Sequence, residues 1–245
     1  MQDLAVESMG IFRQHLNMYH PDYDFTTGIA PWTEIANRSI ADHMIMIQLS
    51  ITSADDRLAI TTDESYSLSI VPATDQTTVI ITGATFFGVR HGLETLSQLI
   101  NYEEANDVLQ IVNSFNVTND SPAFPVRGLM IDSARNFLSV SDIKRTIDAM
   151  SGSKLNTLHW HITDSQSFPV VIESLPNMHT YGAYSPEKVY YRTDIQDLVE
   201  YGRVRGVRIL PELDAPAHVG NGWQWGQKEG LGNLVVCLDM VRNVG

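Results

Sequence analysis

Two hydrophobic patterns run along the chain, and they change over near residue 122. Before that point, Gly10–Tyr19 is a short helical stretch closed by His20-Pro21. His43–Ile51, Tyr66–Val71 and Thr77–Thr82 are alternating or β-branched runs that predict strands. Ala84–Ile100 switches to helical spacing, with Phe86, Val89, Leu93, Leu96 and Ile100 three or four apart on one stripe. Val108–Val112 predicts a last strand. Strands around one long helix predict a small α+β layer domain over residues 1–122.

Asp120-Ser121-Pro122 and Pro125 punctuate the boundary. Beyond it, Arg127–Ile131 is a short apolar strand. Ser141–Met150 predicts a helix with Ile143, Ile147 and Met150 on one face, and Lys154–Ile162 predicts the next strand. Thr193-x-x-Gln196 reads as a capping box opening a helix to about Arg205, with Gly206 as its C-cap. Val207–Leu210 is a third strand. Apolar strands separated by helices predict a parallel sheet with right-handed crossovers over residues 123–245, and the fold class is α/β.

The 245 residues are 43% hydrophobic and 18% charged, an ordinary globular mixture. A formal net charge of -13 repels phosphate backbones and argues against a nucleic-acid partner. No apolar run approaches the ~20 residues of a membrane-spanning helix. Met1–Gly10 has neither the basic start nor the apolar core of a signal peptide, which on residues alone points to the cytosol. The single Cys237 has no internal disulfide partner. Three Asn-x-Ser/Thr sequons begin at Asn37, Asn116 and Asn119; Pro122 follows the third and weakens it.

Ionisable residues follow all three strands of the second half. Asp132 and Arg135 follow the first, and the second carries His159-Trp160-His161 before Asp164. The third carries Glu212-Leu213-Asp214 before His218. In a β/α barrel such strand ends form one rim, where the active site sits. Strand alternation puts His159 and His161 on one face and Trp160 on the other. Two chemistries fit. His-x-His with carboxylates suits a metal-dependent hydrolase. Carboxylates, His, an Arg and the aromatics Trp160, Trp223 and Trp225 suit sugar chemistry.

Three segments carry a resemblance: Phe124–Arg135 (FPVRGLMIDSAR), Lys154–Asp164 (KLNTLHWHITD) with Ser167-Phe168-Pro169, and Gly206–His218 (GVRILPELDAPAH). Together they resemble the opening of the catalytic barrel of β-N-acetylhexosaminidases, glycoside hydrolase family 20. Asp63–Leu68 and Phe87–Thr95 resemble that family's non-catalytic α+β domain, and Gly222–Leu234 resembles its animal, particularly arthropod, branch. The resemblance implies an exo-acting glycosidase on glycans or chitin oligosaccharides. The substrate's 2-acetamido carbonyl attacks the anomeric carbon, an exception to the two-carboxylate scheme. It implies that Arg135 grips sugar hydroxyls. Asp164 and His218 form a supporting pair, with His161 and Asp214 in the same network. No cofactor or metal is implied. The expected location of the parent protein is lysosomal, extracellular or at the cell surface, and a homodimer is the expectation for its assembly.

The family's catalytic Asp-Glu dyad has no counterpart here. Asp63-Glu64, the one such pair, lies in the first domain. From Phe124 to Gly245 there are 122 residues, about half of the ~250 that a full barrel needs. The expectation is therefore a fragment, holding the auxiliary domain and the first part of an incomplete (β/α)8 barrel, and inactive alone. A non-catalytic sugar-binding relative is the alternative, beside the metal hydrolase.

Overall fold

The apolar runs of the first half form strands β1 (Met44–Ile51), β2 (Tyr66–Pro72) and β3 (Gln76–Gly83). They are seen in a computed structural model that describes residues 2–28, 30, 44–105 and 107–234. Asn37 and Cys237 lie outside the described residues. The chain divides into two compact units. One comprises residues 1–127, 152–154 and 203–206; the other comprises 128–151, 155–202 and 207–245.

In the first unit, helix α1 (Gln2–Asn17) precedes β1, and α2 (Phe86–Gln98) follows β3. Short strands β4 (Ile100–Glu103), β5 (Val108–Ile111) and β6 (Phe115–Asp120) complete it. The four-stranded sheet runs β1-β3-β2-β6, with β1 and β3 parallel and the other pairs antiparallel. Tyr66, Leu68 and Ile70 meet Val79 and Ile81 on one face, beneath Val89, Leu93 and Leu96 of α2 and Phe12 of α1. Helix α1 starts eight residues earlier than predicted. Strands β4 and β6 were not predicted, because INYE and FNVTND are too polar to show a strand period on their own.

The threonine hydroxyl of Thr85 caps α2 by accepting from the Gly88 N–H. Gly88 is required by close approach: a Cβ there would stand 2.1 Å from the Ser65 carbonyl oxygen. Gly88→Ala is accordingly expected to destabilise the chain by about 1–3 kcal/mol, read as a lowered urea midpoint.

The same unit buries an ionic cluster. Arg127 forks onto Glu64 at 2.7 and 2.9 Å, and His91 Nε2 donates to Glu64 Oε1 at 2.9 Å. Burial pushes the Glu64 carboxyl up, but the bonds from His91 and Arg127 outweigh it and hold the pKa at about 2. Burial pushes His91 down to about 4. Its Nδ1 is buried without a hydrogen-bond partner, so it has nothing to donate a second proton to.

The second unit begins with β7 (Gly128–Asp132), α3 (Val140–Gly152) and β8 (Thr157–Thr163). Then come α4 (Pro176–Gly182), α5 (Arg192–Val204), β9 (Arg208–Leu213) and α6 (Trp225–Lys228). Strands β7-β8-β9 are parallel in that order. Leu158, Trp160 and Ile162 of β8 pack against Ile143, Ile147 and Met150 of α3 and Leu198 of α5. Trp160 is fully buried, edge-on to Tyr190, and its Nε1 donates to Ser133 Oγ at 2.7 Å. It is a core residue and cannot stack on a sugar, which corrects the sequence expectation.

The capping box at Thr193 and Gln196 is also corrected. Helix α5 starts at Arg192, and the Asp194 carboxylate reaches back to the Tyr191 N–H at 2.8 Å. Asp194 is shorter than Gln196 but sits at the third helical position, where such a return bond closes. Gly206 takes the left-handed conformation, φ 70°, expected of a C-cap.

Candidate active site

Every residue of the site belongs to the second unit. The face of β8 opposite Trp160 carries His159 and His161. Parallel register aligns Asp132, His161 and Glu212 across β7, β8 and β9. One row of the sheet thus holds two carboxylates with an imidazole between them.

Asp164, just beyond β8, is the centre. Its Oδ2 accepts from His161 Nε2 at 2.8 Å and His218 Nδ1 at 2.9 Å, and it pairs with Arg135 Nη2 at 2.6 Å. Its Oδ1 accepts the Ser165 N–H. The side chain is only 2% exposed. Burial raises its pKa, but the bonds from His161 and Ser165, with the charges of Arg135 and His218, win and keep it below the carboxylate range.

His161 Nδ1 lies 2.9 Å from Glu212 Oε2, which also accepts from His159 Nε2 at 2.7 Å. An imidazole can donate from both nitrogens only as the imidazolium. Burial opposes that charge, but Glu212 and Asp164 outweigh it and the His161 pKa is raised. The His161 bond, and after it the His159 bond, hold Glu212 low against its burial.

Arg135 is set by the turn after β7. Asp132 Oδ1 accepts the N–H groups of Ala134 and Arg135, and its Oδ2 takes Arg135 Nη1 at 2.6 Å. Nε donates to Gln166 Oε1, and Tyr184 OH donates to the Arg135 carbonyl. Nη2 also lies 3.4 Å from His218 Nδ1, so among the described residues one N–H on Nη1 is left without a partner, and the side chain is 39% exposed.

The structure brings together Arg135, Asp164, His161 and His218. Asp214 stands further out, its Oδ2 3.7 Å from His218 Nε2. Asp132, Glu212 and His159, which the sequence placed at the rim but to which the family resemblance gave no role, join the network. The alternation of His159 with His161 and of Glu212 with Asp214 was the available signal; Gln166 and Tyr184 left none. Trp223 donates to the Val219 carbonyl at 2.6 Å and lines a cavity of about 280 Å³ with Gln224, Gln227 and Asn233.

His161, Asp164 and His218 present one atom each within 4.8 Å of one another, as do His161, Glu212 and Asp214, so a metal site was tested on geometry. The fit is poor: a guanidinium at 2.6 Å already occupies the Asp164 oxygen that a metal would need, and the same oxygen is shared with His161 and His218. The arrangement is an ion-pair network centred on Asp164.

Comparison with known proteins is consistent over both units. Residues 124–238 match the glycosyl hydrolase family 20 catalytic domain, and residues 13–99 match a domain described as beta-acetyl hexosaminidase like. A chitooligosaccharidolytic beta-N-acetylglucosaminidase of Bombyx mori is 58% identical over 163 residues, 66% of this chain and 27% of that protein. A probable beta-hexosaminidase, fdl, of Drosophila melanogaster is 40% identical over 196 residues, 80% of this chain and 30% of that one. The X-ray structure of Flavobacterium johnsoniae chitobiase superposes with a TM-score of 0.60 at 34% identity, over 70% of this chain and 25% of that one. The chain therefore spans between a quarter and a third of the length of these relatives.

Proposed function

Because the chain belongs to glycosyl hydrolase family 20, we propose that it is the auxiliary domain and opening barrel strands of an exo-β-N-acetylhexosaminidase. The substrate would be a terminal N-acetylglucosamine or N-acetylgalactosamine on a glycan or chitin oligosaccharide. The single observation that carries this is the convergence of Arg135, His161 and His218 on the buried Asp164 carboxylate.

In this reading the free Nη1 N–H of Arg135 takes a sugar hydroxyl. Asp164 is the anchor, because it fixes Arg135 and His218 at once. His218 is the positioning group between that anchor and the leaving-group side. The attack on the anomeric carbon comes from the sugar's own 2-acetamido carbonyl. It needs a carboxylate to orient the acetamide and an acid to protonate the leaving oxygen. Within these 245 residues no Asp-Glu pair stands at the rim, and Glu64 is committed to His91 and Arg127.

The chain of residues 1–245 is therefore expected to bind a hexosamine weakly and to leave an aryl N-acetylglucosaminide intact. A nitrophenol-release assay on the purified chain checks this; release that scales with protein concentration and survives repurification overturns it.

A further inference from the structure

Two consecutive sequons, Asn116-Val117-Thr118 and Asn119-Asp120-Ser121, sit near the end of the first unit, and the fold treats them differently. Asn116 and Thr118 lie two apart on β6, so both point to the same face, and both are exposed. Phe115 and Val117 alternate with them and pack into the core. The outer face around Asn116 is open: its partner across the ladder is Ser69, and Ser67 is next along β2. Among the described residues the Asn116 side chain makes no hydrogen bond. Asn119 is at a left-handed turn, φ 53°, with its N–H held by Ser67 Oγ at 2.9 Å. Its sequon runs through Asp120, whose carboxylate accepts from Tyr66 OH at 2.5 Å, and is followed by Pro122. Among the described residues strand β6 is also an edge of the sheet, with one unpaired side that invites strand addition.

We propose that Asn116 is an N-glycosylation acceptor and that Asn119 is not, the glycan standing off the outer face of β6 and screening that edge. The transfer forms a bond from the sugar C1 to Asn116 Nδ2. It breaks the C1–O bond to a lipid-linked pyrophosphate donor, which leaves with the displaced amide proton.

The test is expression of the full chain behind a cleavable secretion leader in insect cells, followed by site-resolved mass spectrometry before and after amidase deglycosylation. One glycan at Asn116 is expected. N116Q and T118A should each remove it, and N119Q should leave it in place. Asn37 is read on a separate peptide. The deglycosylated chain should elute as larger species at matched concentration. Secreted chain with Asn116 unmodified, or with the glycan on Asn119, overturns the assignment. So does T118A that still carries it. The outcome is independent of whether the chain cleaves a glycoside.

Discussion

Asp164→Asn is expected to destabilise the chain by about 3–5 kcal/mol, the largest single-residue effect at the site. The reason is the asymmetry of a buried ion cluster. The carboxylate is almost fully buried and takes His161, His218, Arg135 and the Ser165 N–H. A neutral amide in its place leaves a guanidinium and an imidazolium facing a group that cannot balance them. The pH sign follows from both partners. The Asp164 pKa is lowered from 3.8, so its contribution is present above that value and fades as pH falls below it. The His161 pKa is raised from 6.5, so its contribution is full below that value and is lost as pH rises through the folded pKa. The cluster is thus most stabilising between about pH 4 and 6.5. Urea melts followed by tryptophan fluorescence, which includes the buried Trp160, should show that window in the native chain and lose it in D164N. NMR titration should place His161 lower in the variant. A D164N midpoint equal to wild type would refute the account.

Acid should unfold the first unit through His91 and Glu64. His91 has its pKa depressed from 6.5 to about 4, and Glu64 from 4.5 to about 2. For both groups the unfolded chain binds the proton first, so stability is present above the unfolded value and falls as pH drops toward the folded one. For His91 the loss is on the order of 3 kcal/mol between pH 6.5 and 4, a large share of the ~5–15 kcal/mol that holds a domain together. The surroundings fix the sign. Arg90 and Lys154 oppose a charge on His91 while Glu64 favours it, and burial decides between them. Stability of the first unit, followed by hydrogen exchange of its own amides from pH 7.5 to 4, should decline from about pH 6.5 downward, and His91→Phe should flatten that segment. A first unit whose stability is level from pH 7 to 5 would contradict this.

Much of the site was legible as strand chemistry. His159 and His161 two apart, and Glu212 and Asp214 two apart, had to share faces because strand side chains alternate. Apolar β8 positions had to face helices, which put Trp160 in the core once the parallel sheet formed. Other features carried no local signal. Strands β4 and β6 exist because neighbouring edges accept their backbones, and Asp194 replaces the predicted cap because the helix begins two residues early.

The sequence by itself determined which residues are apolar, at what period, and hence the order of strands and helices and the end of the sheet where ionisable groups gather. It also carried the motifs that place the chain in its family. Only the tertiary structure decided that Asp132, His161 and Glu212 stand in one row, that Asp164 is the shared acceptor, and that His161 is flanked by two carboxylates that raise its pKa. Periodicity is a property of one segment. Register, burial and the charge of an imidazole depend on what a second segment, many residues away, brings within 3 Å.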